Sequence, residues 1–310
     1  MKKKTKIIIG IIIAVAVFFY LATIGVLLFT VDGGFKGLKK DKVAVISLSG
    51  SIADSGGEGL MTSAGITPDF VRAQLNRAKS DSSVKAIVLR VDSPGGSVGA
   101  SQEIAQEIKE TEKPIVVFMG DMAASGGYYI SAPADKIVAK KGTLTGSIGV
   151  ISQFMDLSGL YEKLGIKTET IKSGEHKDMF SRELTEEERE LWQSVSDELY
   201  GQFIKEVAEG RNLDVEEVKK LATGELFSGT QAKKLGLVDE LGGYQDAIDL
   251  AAELAGIEEP VVEEYPARTF FESVFSFTGS EIRSLIKAKF FGSDYVMLES
   301  LKESFPVPRY

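Results

Sequence analysis

Cysteine is absent from the chain, and histidine occurs once, at His176. Without Cys there is no disulfide, no thiolate nucleophile, no iron–sulfur cluster and no Cys-containing zinc site. A single His excludes a His-rich metal centre as well. Hydrolytic chemistry must therefore use hydroxyls, carboxylates, amines or that one imidazole. Basic charge is also short. With Lys2, Lys3, Lys4 and Lys6 set aside, the remaining 32 of 36 basic residues face 45 acidic ones, a net of −13. That balance argues against nucleic acid and anionic lipid as partners. No G-x-x-x-x-G-K-[ST] segment occurs, so any unfolding motor must be a separate molecule. The 44% apolar and 26% charged fractions are those of an ordinary globular chain, and 310 residues suffice for a substantial core.

Charge is missing altogether from residues 7–30, an uncharged run of 24. As a helix rising about 1.5 Å per residue it is roughly 36 Å long, enough for a hydrocarbon core of about 30 Å. A cleaved signal peptide has an apolar region of only about 7–15 residues, so the run reads as an uncleaved transmembrane anchor. The four lysines before it place the N-terminus in the cytoplasm. Lys36, Lys39, Lys40 and Lys42 follow the run and weaken that asymmetry. The expectation is a single-pass protein of the cell membrane, with the chain after the anchor extracytoplasmic. Its parts are a cytoplasmic start (1–6), the anchor (7–30), a polar linker (31–42), a main domain (43–256) and a C-terminal appendage (257–310).

After the linker the pattern alternates strand and helix. Residues 43–48 read as a buried strand. Thr67 and Pro68 open a helix as N-cap and first residue, turning Phe70, Val71 and Leu75 inward. Residues 86–91 and 115–119 are further strands, each followed by a Gly-rich turn and a helix, one through Ile104 and Ile108 and a short one at 128–132. Strands separated by such helices indicate a largely parallel sheet, with ligands at the carboxyl ends of its strands. Further on, Thr185 and Glu188 form a capping box ahead of a stripe of Leu191, Val195, Leu199, Phe203 and Val207, a core or subunit face. Asp214 with Glu217 starts another helix, and Gly224 ends it. From 257 the composition turns acidic, with Pro260 and Pro266.

The chemistry concentrates in the two Gly-rich turns. In Asp92-Ser93-Pro94-Gly95-Gly96-Ser97-Val98-Gly99, paired glycines let backbone N–H groups approach a ligand and stabilise an oxyanion. The same residues also make a tight strand-to-helix turn. In Ala123-Ala124-Ser125-Gly126-Gly127-Tyr128, Ser125 has only Ala and Gly beside it, so its hydroxyl is approachable. A Ser in that place also serves as a helix cap. A nucleophilic serine needs a base, and Ser173-Gly174-Glu175-His176-Lys177-Asp178 holds two candidates. Lys177 must be desolvated to lose its proton near neutral pH, and Glu175 or Asp178 would oppose that if they faced the amine. Residue chemistry alone leaves Lys177 and His176 open.

The run from Ala123 to Tyr129 resembles the nucleophile motif of the bacterial signal peptide peptidase A family. Asp92-Ser93-Pro94-Gly95-Gly96 resembles its oxyanion-hole turn, with Asp92 where Asn is commoner. Thr145-Gly146-Ser147-Ile148-Gly149-Val150 and the run 173–178 resemble its other two site segments, and Phe227-Ser228-Gly229-Thr230-Gln231-Ala232 with Gly236-Leu237-Val238-Asp239 its closing signature. The resemblance covers residues 43–257. It implies a serine–lysine peptidase with an α/β Clp/crotonase-like spiral of ββα units, behind one transmembrane helix, that degrades leftover signal peptides at the membrane. Ser125 is then the nucleophile, Lys177 the general base and Ser147 the residue that holds its amine. Gly126 with Gly95 or Gly96 forms the oxyanion hole, and no metal or cofactor is required. Longer members are duplicated and carry the lysine and serine in different halves. A single copy therefore implies a homo-oligomer, with Lys177 serving either its own Ser125 or a neighbour's.

Three alternatives compete. Gly95-Gly96-Ser97-Val98-Gly99 fits the G-x-S-x-G elbow of α/β-hydrolases, with His176 and an acid such as Asp121 completing a triad. A crotonase-type acyl-CoA enzyme would use similar N–H pairs on a thioester. An anchored, non-catalytic scaffold would need none of them. The tail ending Phe305-Pro306-Val307-Pro308-Arg309-Tyr310 is a loose end, a subunit contact or a regulatory segment.

Overall fold

The computed structural model describes residues 40–54 and 65–265, together with Val15, Val17 and Tyr20 in a separate N-terminal unit of residues 1–41. Those three residues are helical and exposed. The rest of the expected anchor lies outside the described residues, as does the tail from 266 onward. Among the described residues no helix is long and apolar enough to cross a membrane.

The second unit is a mixed α/β sheet of eight strands. In chain order its elements are β1 (Lys42–Ser49), α1 (Pro68–Ser80), β2 (Val84–Ser93), α2 (Val98–Lys109), β3 (Ile115–Ala124) and α3 (Gly126–Ser131). There follow β4 (Lys136–Ala139), β5 (Leu144–Gly146), α4 (Ser158–Lys163), a 3₁₀ turn (Met179–Ser181), α5 (Glu186–Arg211) and α6 (Val215–Leu221). The chain ends its described part with β6 (Leu226–Ser228), α7 (Gly229–Lys234), β7 (Glu240–Leu241), α8 (Tyr244–Leu254) and β8 (Val261–Tyr265). The main strand order is β6-β5-β3-β2-β1-β8. Every pairing is parallel except β5 with β6.

Both sheet faces are covered, which is why the central strands are near-continuous apolar runs rather than alternating ones. Ala44, Ile46 and Leu48 point to the side packed by α1, α2, α3 and the C-terminal half of α5, through Leu75, Ile104, Tyr128 and Val207. Val43 and Val45 point to the other, where α8 packs Ala247, Ile248, Ala251 and Ala252. Helix α1 begins as expected: Thr67 Oγ1 accepts the Phe70 N–H at 3.3 Å and Pro68 is the first residue. The Thr185–Glu188 box and the Asp214 cap are also present.

Three features differ from expectation. Strand β3 does not stop at Met119 but runs on to Ala124 and forks, residues 116–119 pairing with β4 and 122–124 with β5. Residues 261–265, expected in an appendage, form β8 and pair in parallel with β1, with Tyr265 4% exposed. Helix α6 ends at Leu221, before Gly224, because Ala222 already leaves helical geometry.

Candidate active site

Two serines leave the carboxyl ends of adjacent parallel strands. Ala124 of β3 stands opposite Gly146 of β5, so Ser125 and Ser147 are the next residues on two neighbouring strands. The Ser125 N–H donates to the Gly146 carbonyl at 2.8 Å, and the Ser147 N–H donates to the Glu225 carbonyl at 2.7 Å. Both serines hold a positive φ, 52° and 50°. For a residue with a Cβ that geometry is strained and persists only where its surroundings enforce it.

The surroundings of Ser125 are rigid. Thr143 and Thr145 are buried, and their hydroxyls donate to the Gly120 and Ala123 carbonyls, each at 2.7 Å, riveting β5 to β3. Helix α3, which Ser125 starts, is buried along its length. Its Tyr128 hydroxyl donates to the Leu237 carbonyl at 2.9 Å, and burial pushes that phenol well above its ordinary range. The strand-to-helix turn is thus clamped at both ends with Ser125 at its apex, half-buried and open to a substrate.

The second Gly-rich turn lies directly against this apex. A Cβ built on Gly95 would fall 2.6 Å from the Gly126 nitrogen and 2.8 Å from Ser125 Cβ. One built on Gly126 would fall 3.1 Å from the Gly96 nitrogen. Such an approach of two backbones admits only glycine. The Gly95 N–H is occupied, donating to Ser93 Oγ at 3.1 Å. The N–H groups of Gly96 and Gly126 have no acceptor among the described residues, which leaves them available to a substrate oxygen. Asp92 braces the neighbouring strand. Its Oδ1 accepts the Met122 N–H at 3.1 Å, across the bulge where β3 carries extra residues against β2. An Asn side chain could accept in the same way, so the unusual residue leaves the turn intact.

No hydrogen bond joins Lys177 to either serine among the described residues. The lysine is exposed, and its amine has no hydrogen-bond or ion-pair partner among the described residues. It sits on an arm, residues 151–190, in which Glu188 is the only buried residue. Ile151, Met155, Leu164 and Ile171 are 80%, 77%, 63% and 94% exposed. The arm is knotted by aromatics: Phe154 stacks on Phe180 at 4.9 Å, and both meet Trp192 of α5 edge-on at 5.5 and 5.2 Å. The expected stripe on α5 therefore splits. Phe203 and Val207 enter the core, while Leu191 and Val195 stay exposed.

The rival triad is not assembled. Ser97 has ordinary backbone angles and makes no side-chain cap. Asp121 bonds the Lys140 amine at 2.5 Å, and that contact holds its carboxyl below the usual range. His176 Nδ1 lies 3.2 Å from Glu188 Oε1, so the ring is engaged elsewhere. Neither residue makes a hydrogen bond to Ser97 among the described residues. No cluster of three or more His, Asp or Glu suited to a metal ion occurs there either.

The chain has clear relatives among known proteins. Residues 107–258, which include both serines and Lys177, match Peptidase family S49. A putative protease of Methanocaldococcus jannaschii is 45% identical over 62% of this chain and 63% of its own length. A protein of Enterococcus faecium that carries the name putative signal peptide peptidase SppA is 39% identical over 89% of this chain and 82% of its own. Protease 4 of Salmonella typhi is 38% identical over 79% of this chain, but only 40% of its own length is matched. With the strained serine, the facing glycine turns and relatives of this extent, the chain belongs to peptidase family S49 and is a serine peptidase.

Proposed function

We propose that the protein is a membrane-anchored endopeptidase whose Ser125–Lys177 dyad degrades apolar peptides, such as cleaved signal peptides, at the extracytoplasmic face of the cell membrane. The observation that carries the reading is the strained Ser125 beside two unengaged N–H groups, those of Gly96 and Gly126. In the proposed cycle neutral Lys177 takes the Ser125 hydroxyl proton as Oγ attacks the scissile carbonyl carbon. The negative charge moves to the carbonyl oxygen, where the two N–H groups receive it. The C–N bond then breaks, and Lys177 passes its proton to the leaving amine. Water, deprotonated by Lys177, attacks the acyl carbon; the C–Oγ bond breaks, Lys177 returns the proton to Ser125 Oγ, and the acyl group leaves as a carboxylic acid. Ser147 holds the Lys177 amine through its hydroxyl.

The fork of β3 supports a Clp/crotonase-type spiral for the fold. The exposed Lys177 and the apolar surface of its arm support a homo-oligomer in which the lysine of one subunit completes the serine site of another. A match to 40% of Protease 4 accords with a single-copy chain beside a longer relative. The uncharged run 7–30 supports the anchor, and the name of the Enterococcus faecium relative supports the substrate class.

Mixing the two inactive variants tests the shared site. Ser125→Ala and Lys177→Ala subunits, each inert alone, should recover part of the wild-type turnover of an apolar fluorogenic peptide when co-assembled. No turnover at any mixing ratio would rule out sharing. An acylating serine probe should label wild type and spare Ser125→Ala; equal labelling of both would remove Ser125 as nucleophile.

A further inference from the structure

We propose that Arg182 and Glu188 are positioning residues for Lys177, locking both of its chain neighbours so that the lysine alone is left to react. The proposal rests on Lys177 being the general base. Arg182 Nη1 and Nη2 donate to the two oxygens of Glu188 at 2.8 and 2.7 Å. The same guanidinium turns its Nη2 and Nε to the two oxygens of Asp178 at 3.0 and 3.2 Å. Glu188 also takes the Thr185 N–H at 3.0 Å and lies 3.2 Å from His176 Nδ1. Lys172 closes the network, donating to Asp178 Oδ1 at 2.7 Å and to the Glu175 carbonyl at 2.7 Å. Residues 176 and 178 are thus tied to a single guanidinium–carboxylate pair seated on the first turn of α5, and residue 177 between them is not.

Two observations separate this from an ordinary surface ion pair. The Glu188 side chain is 2% exposed on an arm that buries nothing else. Taking a carboxylate out of water is costly, and such pairs serve better to fix one arrangement than to add stability. The second is electrostatic. The charged groups around Lys177 are Lys172, Glu175, His176 and Asp178 on its own loop, Arg182 after the 3₁₀ turn, and Glu188 on α5. A carboxylate free to face the amine would keep it protonated and useless as a base. Asp178 and Glu188 are instead occupied by Lys172 and Arg182, which leaves exposed Glu175 as the acid of this loop with no ion pair among the described residues.

The test uses the full-length chain in detergent and an apolar fluorogenic peptide, with kcat and KM measured across pH. Arg182→Gln should lower kcat about 10- to 100-fold with KM within about twofold, as expected for a misplaced catalytic group. Its acid limb in kcat/KM should move up by about one pH unit, because freed Asp178 favours the ammonium form. Arg182→Gln with Asp178→Asn should return the limb to the wild-type position, which no loss of folded protein could do. An unmoved limb in Arg182→Gln, or a kcat loss matching only the loss of folded enzyme, would overturn the proposal. If Arg182→Gln does not fold, the near-isosteric Asp178→Asn reads the same clamp: kcat should fall several-fold at constant KM, and an unchanged kcat overturns it. Lys177→Ala, run alongside, keeps the two ideas apart. Activity in that variant removes the general base itself, whereas an inactive Lys177→Ala beside an unmoved limb removes only the clamp.

Discussion

Ser125 and Lys177 stand in opposite physical settings. The serine rises from strands whose residues are almost all buried, on a turn fixed by threonine rivets, a buried tyrosine and glycines in backbone contact. The lysine rises from 40 residues with one buried side chain, a carboxylate. A strained nucleophile has to be held by a stiff frame from the start, because strain relaxes wherever it can. An amine that must lose its charge needs burial, and the arm by itself supplies none. Under the proposed shared site, the contrast separates a pre-built half from a half that would gain its surroundings on assembly.

The largest effects should separate the halves by chemistry. Ser125→Ala and Lys177→Ala should each lower peptide turnover at least about 1,000-fold if the proposed dyad acts as a unit. Only the setting differs, so thermal unfolding of the isolated Lys177→Ala subunit should stay within about 0.5 kcal/mol of wild type. A clearly destabilised Lys177→Ala subunit would show that the lysine is already buried within one chain and would break the contrast.

Next in size is a pair of identical substitutions placed in the two regions. Gly95→Ala puts a methyl 2.6 Å from the Gly126 nitrogen at a φ of +100°. Strain and overpacking together should cost about 3 kcal/mol and disable the oxyanion site. Gly159→Ala, in α4 of the arm, meets nothing within 4 Å. There the same change should stabilise by about 0.5 kcal/mol, through the less flexible unfolded chain. Chemical denaturation of both variants checks the contrast, and a Gly95→Ala protein as stable as wild type would refute the close packing of the two turns.

Acid should open the arm before the core. The Asp178 carboxyl is held at about 2 against an ordinary 3.8, first by Lys172 and then by Arg182, and Glu188 is held low by Arg182 and the Thr185 N–H. Both are depressed in the folded state. Their stabilisation is therefore complete above the ordinary carboxylate range and is lost as pH falls from about 4 toward 2. Limited proteolysis with an acid-stable protease should cut between 151 and 190 increasingly across that window, and sooner than within residues 84–148. Cutting that does not change with pH from about 6 to about 2 would mean that the ion pairs do not hold the arm.

The same divide governs what the sequence made legible. Signals confined to one turn of chain transferred directly: the Thr67, Thr185 and Asp214 caps, the glycine turns, and the buried runs of β1 to β3. Features decided by distant partners did not. Residues 119–124 read as a Gly-containing turn because nothing local shows that β5 stands ready to pair with them. Strand β8 reads as the acidic start of a C-terminal appendage, yet Glu263 accepts from Lys42 at 2.8 Å and Arg77 lies 4.1 Å over the Tyr265 ring. An edge strand can carry such polar residues without losing its pairing. The positive φ of Ser125 is imposed by its neighbours and has no signature in Ala-Ser-Gly. Glu188 was visible only as half of a capping box, and its hold on His176 and Arg182 emerges when the arm folds back on α5.

The smallest expected effect tests whether the pre-built half tolerates a change of charge without a change of shape. Asp92 accepts one N–H, that of Met122, and does so at the bulge that aims β3 toward Ser125. Asp92→Asn keeps an acceptor oxygen in the same place, so stability should stay within about 0.5 kcal/mol and kcat/KM within about twofold. Asp92→Leu has a similar size but no acceptor. It leaves the Met122 N–H unpaired in a half-buried site, at a cost of about 1–3 kcal/mol. The frame around Ser125 would then loosen, and kcat should fall with it. Were Asp92→Asn as damaging as Asp92→Leu, the carboxylate charge rather than its hydrogen bond would be what matters, and the serine half would depend on electrostatics as the lysine half does.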